Sequence, residues 1–592
     1  MDRKHLLNII LTFVLGIVIL YVGLVVTFFL MDSLPGDIAL CFLPPVFTQP
    51  QYDAMVYQLG LNDPLFFRFL RYIGEFLGGS WGTTCVISAG TPVNEMLQMS
   101  VPRTIELLIL PLSIAVNLGY LFGRVSNRTK HNWLRKGIQL LCALCIAVPI
   151  FVFGMFLQYN LSFIAGAFPA IGYKTPSFPN PPLVTGSRIL DSMISGELYL
   201  AADTIQHYIL PWLVLTVLFT ALITRALSSN RVKDSYKRKN IISNTAKTSA
   251  IFGVILTFLI LIDITFNLYG FGSRFLMALS TQDFFLIRGC MFVLLIWYVI
   301  TIFASNLTFS LIGLIKDKKQ QQRELKETIE REPDLSAKVE QRSYLNQIVR
   351  SPITIIGLVA VIIPIIVSIF PELISGYSFE EVFGIYPGAW SPPFLGTPLG
   401  THPLGQASFG RDVLAQMAYG TRGSLILGLG AVLIGLIGGL IFGLLASKFK
   451  RVVHTLTMSF MLIFYILPGI LLFTLFTGIL GITYGLLMVT IGLLLIPGFT
   501  RIIANTEFRI FPIGKKIISY VPLFAGFAIL LYVSLGFLGL TDPLTVNLGG
   551  LINQGRAHLY DAPWASLWPG LIAFLIVVSL FILHEGLAKN SR

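Results

Sequence analysis

Asp263 is the carboxylate whose setting most invites chemistry. It stands inside the apolar run LTFLILIDITFNLYGFG, where a charge at mid-bilayer depth costs about 2.5–3.5 kcal/mol on insertion scales. Such a group must face a partner, a cavity or the interface, or else cap the turn that opens near Asn267. Arg411 and Asp412 lie side by side in HPLGQASFGRDVLAQ. The expectation is that they satisfy one another and order the loop, with Gly405 and Gly410 permitting tight turns. His207 and Asp203, four residues apart near the outer end of an apolar run, suggest an interfacial hydrogen bond. Cys142 and Cys145 have a C-x-x-C spacing, but inside an apolar span with no nearby His, so packing outweighs redox chemistry. Cys41 and Cys85 share one outside segment, where an oxidising compartment permits a disulfide and their separation decides whether one forms.

Enzyme signatures are missing. No G-x-x-x-x-G-K-[ST] occurs, and Gly514-Lys515-Lys516 lacks both the preceding glycine and the hydroxyl residue. HExxH, a Cys/His cluster and a Ser-His-Asp signature are absent as well. The expectation is a non-enzyme without a cofactor or metal of its own, in which ATP acts only through a separate subunit.

The elements that position these residues are membrane helices. Mean hydropathy is +0.78, 55% of residues are hydrophobic and 12% are charged, which is too little charge to cover a soluble chain of 592 residues. Apolar runs long enough to cross a ~30 Å core fall near 6–30, 103–124, 137–161, 205–227, 248–270 and 286–315. A second set falls near 351–371, 422–446, 454–479, 482–502, 517–541 and 565–586. About twelve spans are therefore expected, half of them on each side of a polar segment. The alternation of an outer-membrane barrel is absent. The first run is too long for a signal peptide and lacks a cleavage site, so it is expected to remain as an anchor.

Lys and Arg cluster at 124–136, 225–247, 316–350, 448–451 and 501–516, while Asp32, Asp37, Asp53, Glu75, Glu95, Asp191 and Glu197 fall in other loops. The positive-inside rule then puts both termini in the cytoplasm. The net charge of +13 reports this topology and contact with anionic lipid rather than nucleic-acid binding.

Of the outside segments, LFFRFLRYIGEFL (Leu65 to Leu77) places Arg68, Arg71 and Glu75 on one stripe, as in a helix lying on the membrane or packed against the bundle. The stretch 165–204 is rich in Pro and Gly and is expected to be irregular. Residues 316–350 form the one long polar run, either a linker containing a solvated helix or a docking helix for a partner. Gly428, Gly430, Gly435, Gly438, Gly439 and Gly443 mark a helix built for close packing.

Several ordered motifs now carry a resemblance. The first part contains SLPGD (33–37), LGLNDPL (59–65), GGSWGTT (78–84), GTPVNEMLQMSVPRTIEL (90–107), HYILP (207–211) and DITFNLYGFG (263–272). The second contains SPITIIGL (351–358), HPLGQASFGRDVLAQMAYGTRGSL (402–425), SLGFLGL (534–540) and QGRAHLYDAPWASLWPG (554–570). Together they resemble the B-type and C-type permease subunits of oligopeptide, dipeptide and nickel ABC importers, fused in one chain. The resemblance implies an all-α integral membrane protein with the type I ABC importer permease fold. Its parts would be a B-type half at 1–315, a cytoplasmic linker at 316–350 and a C-type half at 351–592, lying parallel to each other in the cytoplasmic membrane. It also implies path-facing roles for Asp263 and Asn267, and structural roles for Gly36, Asp37, Gly405, Gly410, Arg411, Asp412 and Gly539.

The departures from that family bear on function. Its members carry a cytoplasmic coupling helix between the fourth and fifth spans of each half. Here LITRALSSNRVKDSYK (222–237) runs through RKNIISNTAKTSA into the next span, and FTRIIANTEFRIFPIGKK (499–516) is equally short. An ATPase drives a permease only through contacts that differ between its states. The expectation is a permease homologue uncoupled from ATPases that serves as a scaffold or accessory subunit beside lipid and other membrane or periplasmic proteins, among them a solute-binding lipoprotein. The alternative is an active translocation subunit working with separate ATPases and a solute-binding protein.

Overall fold

The structure is a computed structural model. It describes residues 3–33, 37–44, 46–86, 90–228, 241–327, 351–393, 402–449, 481–506 and 509–590, together with 453–454, 456–458, 460–461 and 473. Among them the chain is helical, with two isolated bridges (Thr83 to Pro92 and Gln406 to Asp412) as its β pairing. The helices before the linker are α1 (Arg3–Ser33), α2 (Gln49–Leu59), α3 (Leu65–Leu77), α4 (Val93–Arg128), α5 (Asn132–Ala147), α6 (Ile150–Leu157), α7 (Arg188–Ile194), α8 (Leu198–Ser228), α9 (Ile241–Phe266), α10 (Phe271–Ser280) and α11 (Phe284–Glu327). After it come α12 (Pro352–Ile369), α13 (Pro371–Ser375), α14 (Val413–Lys448), α15 (Tyr484–Ala504), α16 (Ile510–Phe537), α17 (Leu548–Arg556) and α18 (Trp564–Asn590).

Eight of these helices are long and apolar enough to cross a membrane, and ten spans result if each bent pair counts as one. The bent pairs are α5 with α6 (90°) and α9 with α10 (83°). Of the remaining expected spans, 6–30 falls within α1, whose side chains are described only in part, and most of 454–479 lies outside the described residues. Pro149 stands at the first bend as the N-cap of α6, where a missing N–H removes a bond that a straight helix would need.

Glycine sets how closely the helices approach. The two most extensive pairings are α14 with α15 and α4 with α8. A Cβ on Gly435 would meet Leu495 Cβ at 2.7 Å and one on Gly443 would meet Ile503 Cβ at 2.7 Å, while Phe499 fills the notch at Gly439. The other pairing repeats this, with Ile223 against Gly119 (2.7 Å) and Leu227 against Gly123 (2.8 Å). Four-residue spacing on both partners is ridge-into-groove packing with small residues in the groove. α12 and α18 interlock in the same way: a Cβ on Gly357 would reach Leu583 Cα at 2.7 Å, and one on Gly586 would reach Thr354 Cα at 2.7 Å.

One hydrophobic core runs from Leu107, Phe151 and Tyr208 through to Phe537, Leu548 and Val577, so residues on both sides of the linker share it. Phe151 stacks on Phe537 with centroids 4.2 Å apart. The expected surface helix at Leu65–Leu77 is α3. Its Tyr72 and Phe76 are buried against Phe28 and Phe292, and its Phe66, Phe67 and Leu77 are exposed. Arg68 pairs with Asp32 at the end of α1, and Arg71 pairs with Asp63. The stretch 165–204 is more ordered than expected, because α7 and the start of α8 lie within it. α11 continues through the membrane segment into the polar run as far as Glu327, and 328–350 lies outside the described residues.

Candidate functional site

The break between α9 and α10 is where the Asp263 motif folds. Left-handed backbone at Asn267 (φ 51°) and Tyr269 (φ 54°) turns the chain, which frees carbonyls at the end of α9 and N–H groups at the start of α10. Asp263 is 1% exposed. Its Oδ1 accepts from Gly270 N (2.9 Å) and its Oδ2 from Ser273 N (2.7 Å). Phe271 N donates to Thr104 Oγ1 (2.9 Å) on α4.

The freed carbonyls are taken by distant parts of the chain. Arg556 Nη1 donates to Ile264 O (2.8 Å), Gln158 Nε2 to Thr265 O (3.2 Å), Gly172 N to Phe266 O (2.8 Å) and Arg103 Nη1 to Tyr269 O (3.2 Å). A broken helix within a membrane requires this satisfaction of its backbone. Of the two settings read from the sequence, capping of the turn is the one these bonds describe for Asp263. Asn267 is partly exposed and donates to Tyr269 Oη (3.2 Å).

A second carboxylate inside an apolar run, Glu106, was not singled out from the sequence. It accepts from Ser187 Oγ and Ile189 N (2.9 Å), and so caps α7 from α4. The rule for intramembrane charges that flagged Asp263 would have found it.

The approach to α14 forms a compact loop. Arg411 and Asp412 do not pair with each other there. Arg411 donates to Gly384 O (3.1 Å) and Phe383 O (2.9 Å) and lies 5.0 Å from the Phe409 ring centroid. Asp412 is the N-cap of α14: it accepts from Ala415 N (2.7 Å) and lies 2.9 Å from His402 Nδ1. Burial pushes the Asp412 carboxyl up, and the Ala415 N–H and the His402 imidazole offset this only in part. Adjacent side chains on an extended segment point apart, so the pair could not close. Gly405 (φ 83°) packs where a Cβ would come 2.7 Å from Trp564 Nε1, and Gly410 (φ 69°) lies against the Tyr386 carbonyl. Trp564 Nε1 donates to Gln406 O (3.2 Å), which ties this loop to α18.

Other loop carboxylates do similar work. Asp37 accepts from Ala39 N (2.9 Å) and Tyr52 Oη (2.6 Å). Asp191 receives Thr185 N (2.7 Å), Thr185 Oγ1 (2.7 Å), Gly186 N (3.1 Å) and Val184 N (3.3 Å). Burial pushes its carboxyl up, but these four bonds outweigh burial and hold it below the ordinary range. Asp203 accepts from Thr175 N and Thr175 Oγ1 (2.6 Å) and faces Arg188, while His207 Nδ1 meets the Asp203 carbonyl at 2.9 Å. Gly539 (φ 76°) closes the end of α16. Gly36 lies outside the described residues, as does the side chain of Cys41, so the Cys41–Cys85 pairing is not placed. Among the described residues no group of three His, Cys, Asp or Glu is arranged to hold a metal.

At the opposite end, the connectors that would carry coupling helices differ in what is described. α8 ends at Ser228 and α9 begins at Ile241, and 229–240 lies outside the described residues. α15 ends at Ala504 and α16 begins at Ile510, a connector in which 507–508 is likewise undescribed. Thr506 donates to Ile502 O (2.7 Å) and Ile503 O (3.0 Å), and its carbonyl accepts from Ser447 Oγ (3.1 Å) of α14.

No family model matches the chain. Among curated proteins it is similar to the oligopeptide transport system permease protein AppB of Bacillus subtilis, 30% identical over 228 residues that make up 38% of this chain and 63% of that protein. The chain therefore spans less than two thirds of that relative's length. It is also similar to the dipeptide transport system permease protein DppB of Lactococcus lactis, at 25% identity over 50% of this chain and 95% of that protein. The glutathione transport system permease protein GsiD of Pectobacterium atrosepticum is 25% identical over 43% of this chain and 91% of its own length.

Proposed function

Because this chain belongs to the family of peptide-type ABC transporter permeases, we propose that it is a fused permease homologue uncoupled from ATPases, acting as a scaffold or accessory subunit. In this reading 1–315 is the B-type part, 316–350 the cytoplasmic linker and 351–592 the C-type part. The protein lies in the cytoplasmic membrane with both termini inside. The observation that carries the reading is the connector between Ala504 and Ile510, held down on α14 by the bond from Ser447 to Thr506. At 1.5 Å per helical residue, a segment of this length has no room for a helix that projects into an ATPase. An engine with nothing to grip exerts no differential force on the bundle.

The anchored outer loops support a role for the outer face. Carboxylates from Asp37 to Asp412 are spent on backbone N–H groups, which makes a fixed surface on which a lipoprotein or other subunit docks. Asp263, occupied in the same way, orders the α9–α10 turn, and Asn267 is the group left to face a path. The second reading, a translocation subunit with separate ATPases and a solute-binding protein, draws on the relatives, which are named as transport permeases.

Purification from the native membrane in a gentle detergent, with every co-purifying chain identified, separates the two. The scaffold reading expects stable membrane or periplasmic partners without stoichiometric ATPase. ATPase subunits in fixed ratio would overturn it and establish the second reading.

A further inference from the structure

The geometry points to a binding site for one phospholipid acyl chain in the seam between α6 and α18. A cleft of about 530 Å³ opens there, within the ~300–1,000 Å³ range of small-molecule sites. One wall is formed by Val148, Phe153 and Phe156 from the bend between α5 and α6, and the other by Trp564, Trp568 and Leu571 of α18. The cleft exists because α5 leaves α6 at 90° while Gly570 lets α18 close onto Val152, where a Cβ would stand 2.6 Å from Val152 Cγ1. The helices touch at that point and splay beside it.

Three observations select the occupant. The exposed lining is almost wholly apolar, with Tyr159 and Trp568 its other side chains bearing a polar atom and the indole N–H of Trp564 already engaged by Gln406 O at 3.2 Å, so an apolar occupant is favoured over a polar one. Both walls belong to segments that are long and apolar enough to lie in a membrane, and in hydrocarbon a void left there would forfeit dispersion contacts along its whole lining. The cleft follows α18 from Trp564 to Phe574, about 15 Å at 1.5 Å per residue, which is the depth of one leaflet of a ~30 Å core. A partner's transmembrane helix would need a groove through both leaflets. Trp564 and Trp568 mark the interfacial end, so the headgroup lies beside them and the tail runs toward Phe574. The seam between the two permease-like parts is thus completed by lipid.

The test uses the full chain in nanodiscs of phosphatidylglycerol, exchanged into phospholipid-free detergent, with bound lipid counted by phosphorus analysis and native mass spectrometry. The wild-type chain is expected to keep one stoichiometric phosphatidylglycerol. Phe156→Trp and Leu571→Trp, one from each wall and at positions 51% and 41% exposed, fill the cleft without entering a packed core. Each should lose more than half of the retained lipid with an unchanged thermal midpoint. Ile363→Trp, on the exposed face of α12 (63%), should keep it. Equal retention by all four chains, retention of none by the wild type, or a protein bound in place of lipid would each overturn the assignment.

Discussion

Arg225 in the last turn of α8 is ion-paired with Glu585 of α18, a residue 360 positions away in the chain. The pair is partly exposed at 36% and 45%, and such pairs contribute roughly 0.2–1 kcal/mol. Its value lies in what it locates. It joins the helix leading into the undescribed 229–240 connector to the final span. On the other side of the same seam, Arg556 of α17 reaches Ile264 O of α9.

This pairing predicts a cross-link. In a background lacking other cysteines, Arg225→Cys with Glu585→Cys should react with a short bis-maleimide. With a specific protease recognition sequence inserted within 328–350, cutting there should then leave the two fragments joined on a denaturing gel. Separate fragments would show that the parts do not meet at this point.

The glycine notches predict steric sensitivity. Gly435→Leu forces a side chain against Leu495 and should destabilise by about 1–3 kcal/mol or more, read as a lowered thermal midpoint in detergent. Gly485→Ala, where nothing lies within 4 Å, should be neutral or slightly stabilising, because Ala restricts the unfolded chain.

Asp263→Ala leaves Gly270 N and Ser273 N without their acceptor in a buried turn. The expected loss is about 1–3 kcal/mol for each orphaned group, with faster amide exchange across 268–274. A variant as stable as the wild type and altered only in passage of a peptide would return Asp263 to the path.

Asp191 predicts an acid response. Its folded carboxyl is held below the ordinary value of 3.8, so the folded state binds the proton less readily than the unfolded one. The stabilisation is present above that ordinary value and is lost as pH falls through the lowered one. The protection factors of amides 184–191, taken against the intrinsic exchange rate at each pH, should be smaller at pH 3 than at pH 6, and Asp191→Asn should flatten the difference.

Local patterns carried far in the sequence, and long-range ones did not. Leu65–Leu77 is legible as a helix because its charges fall on one stripe, and the glycines of α14 are legible because small residues recur at helical spacing. The bends at Val148 and Asn267 are not, because hydropathy does not change where direction does. Arg411 and Asp412 were expected to pair because they are neighbours, yet each is used by a different element. The carbonyl partners of α9, among them Gln158 and Arg556, come from 106 residues upstream of Ile264 and 292 residues downstream of it, and no local window contains such a pairing. Of the site, sequence located Asp263 but left its role open, and it passed over Glu106.

Three side chains of α15 engage three notches of α14 at four-residue intervals. Sliding one helix along the other by a fraction of a turn would drive Leu495, Phe499 and Ile503 out of register together, and the next allowed setting is four residues on, about 6 Å away. These two spans therefore travel as a single rigid body, and any rocking of the protein carries them together.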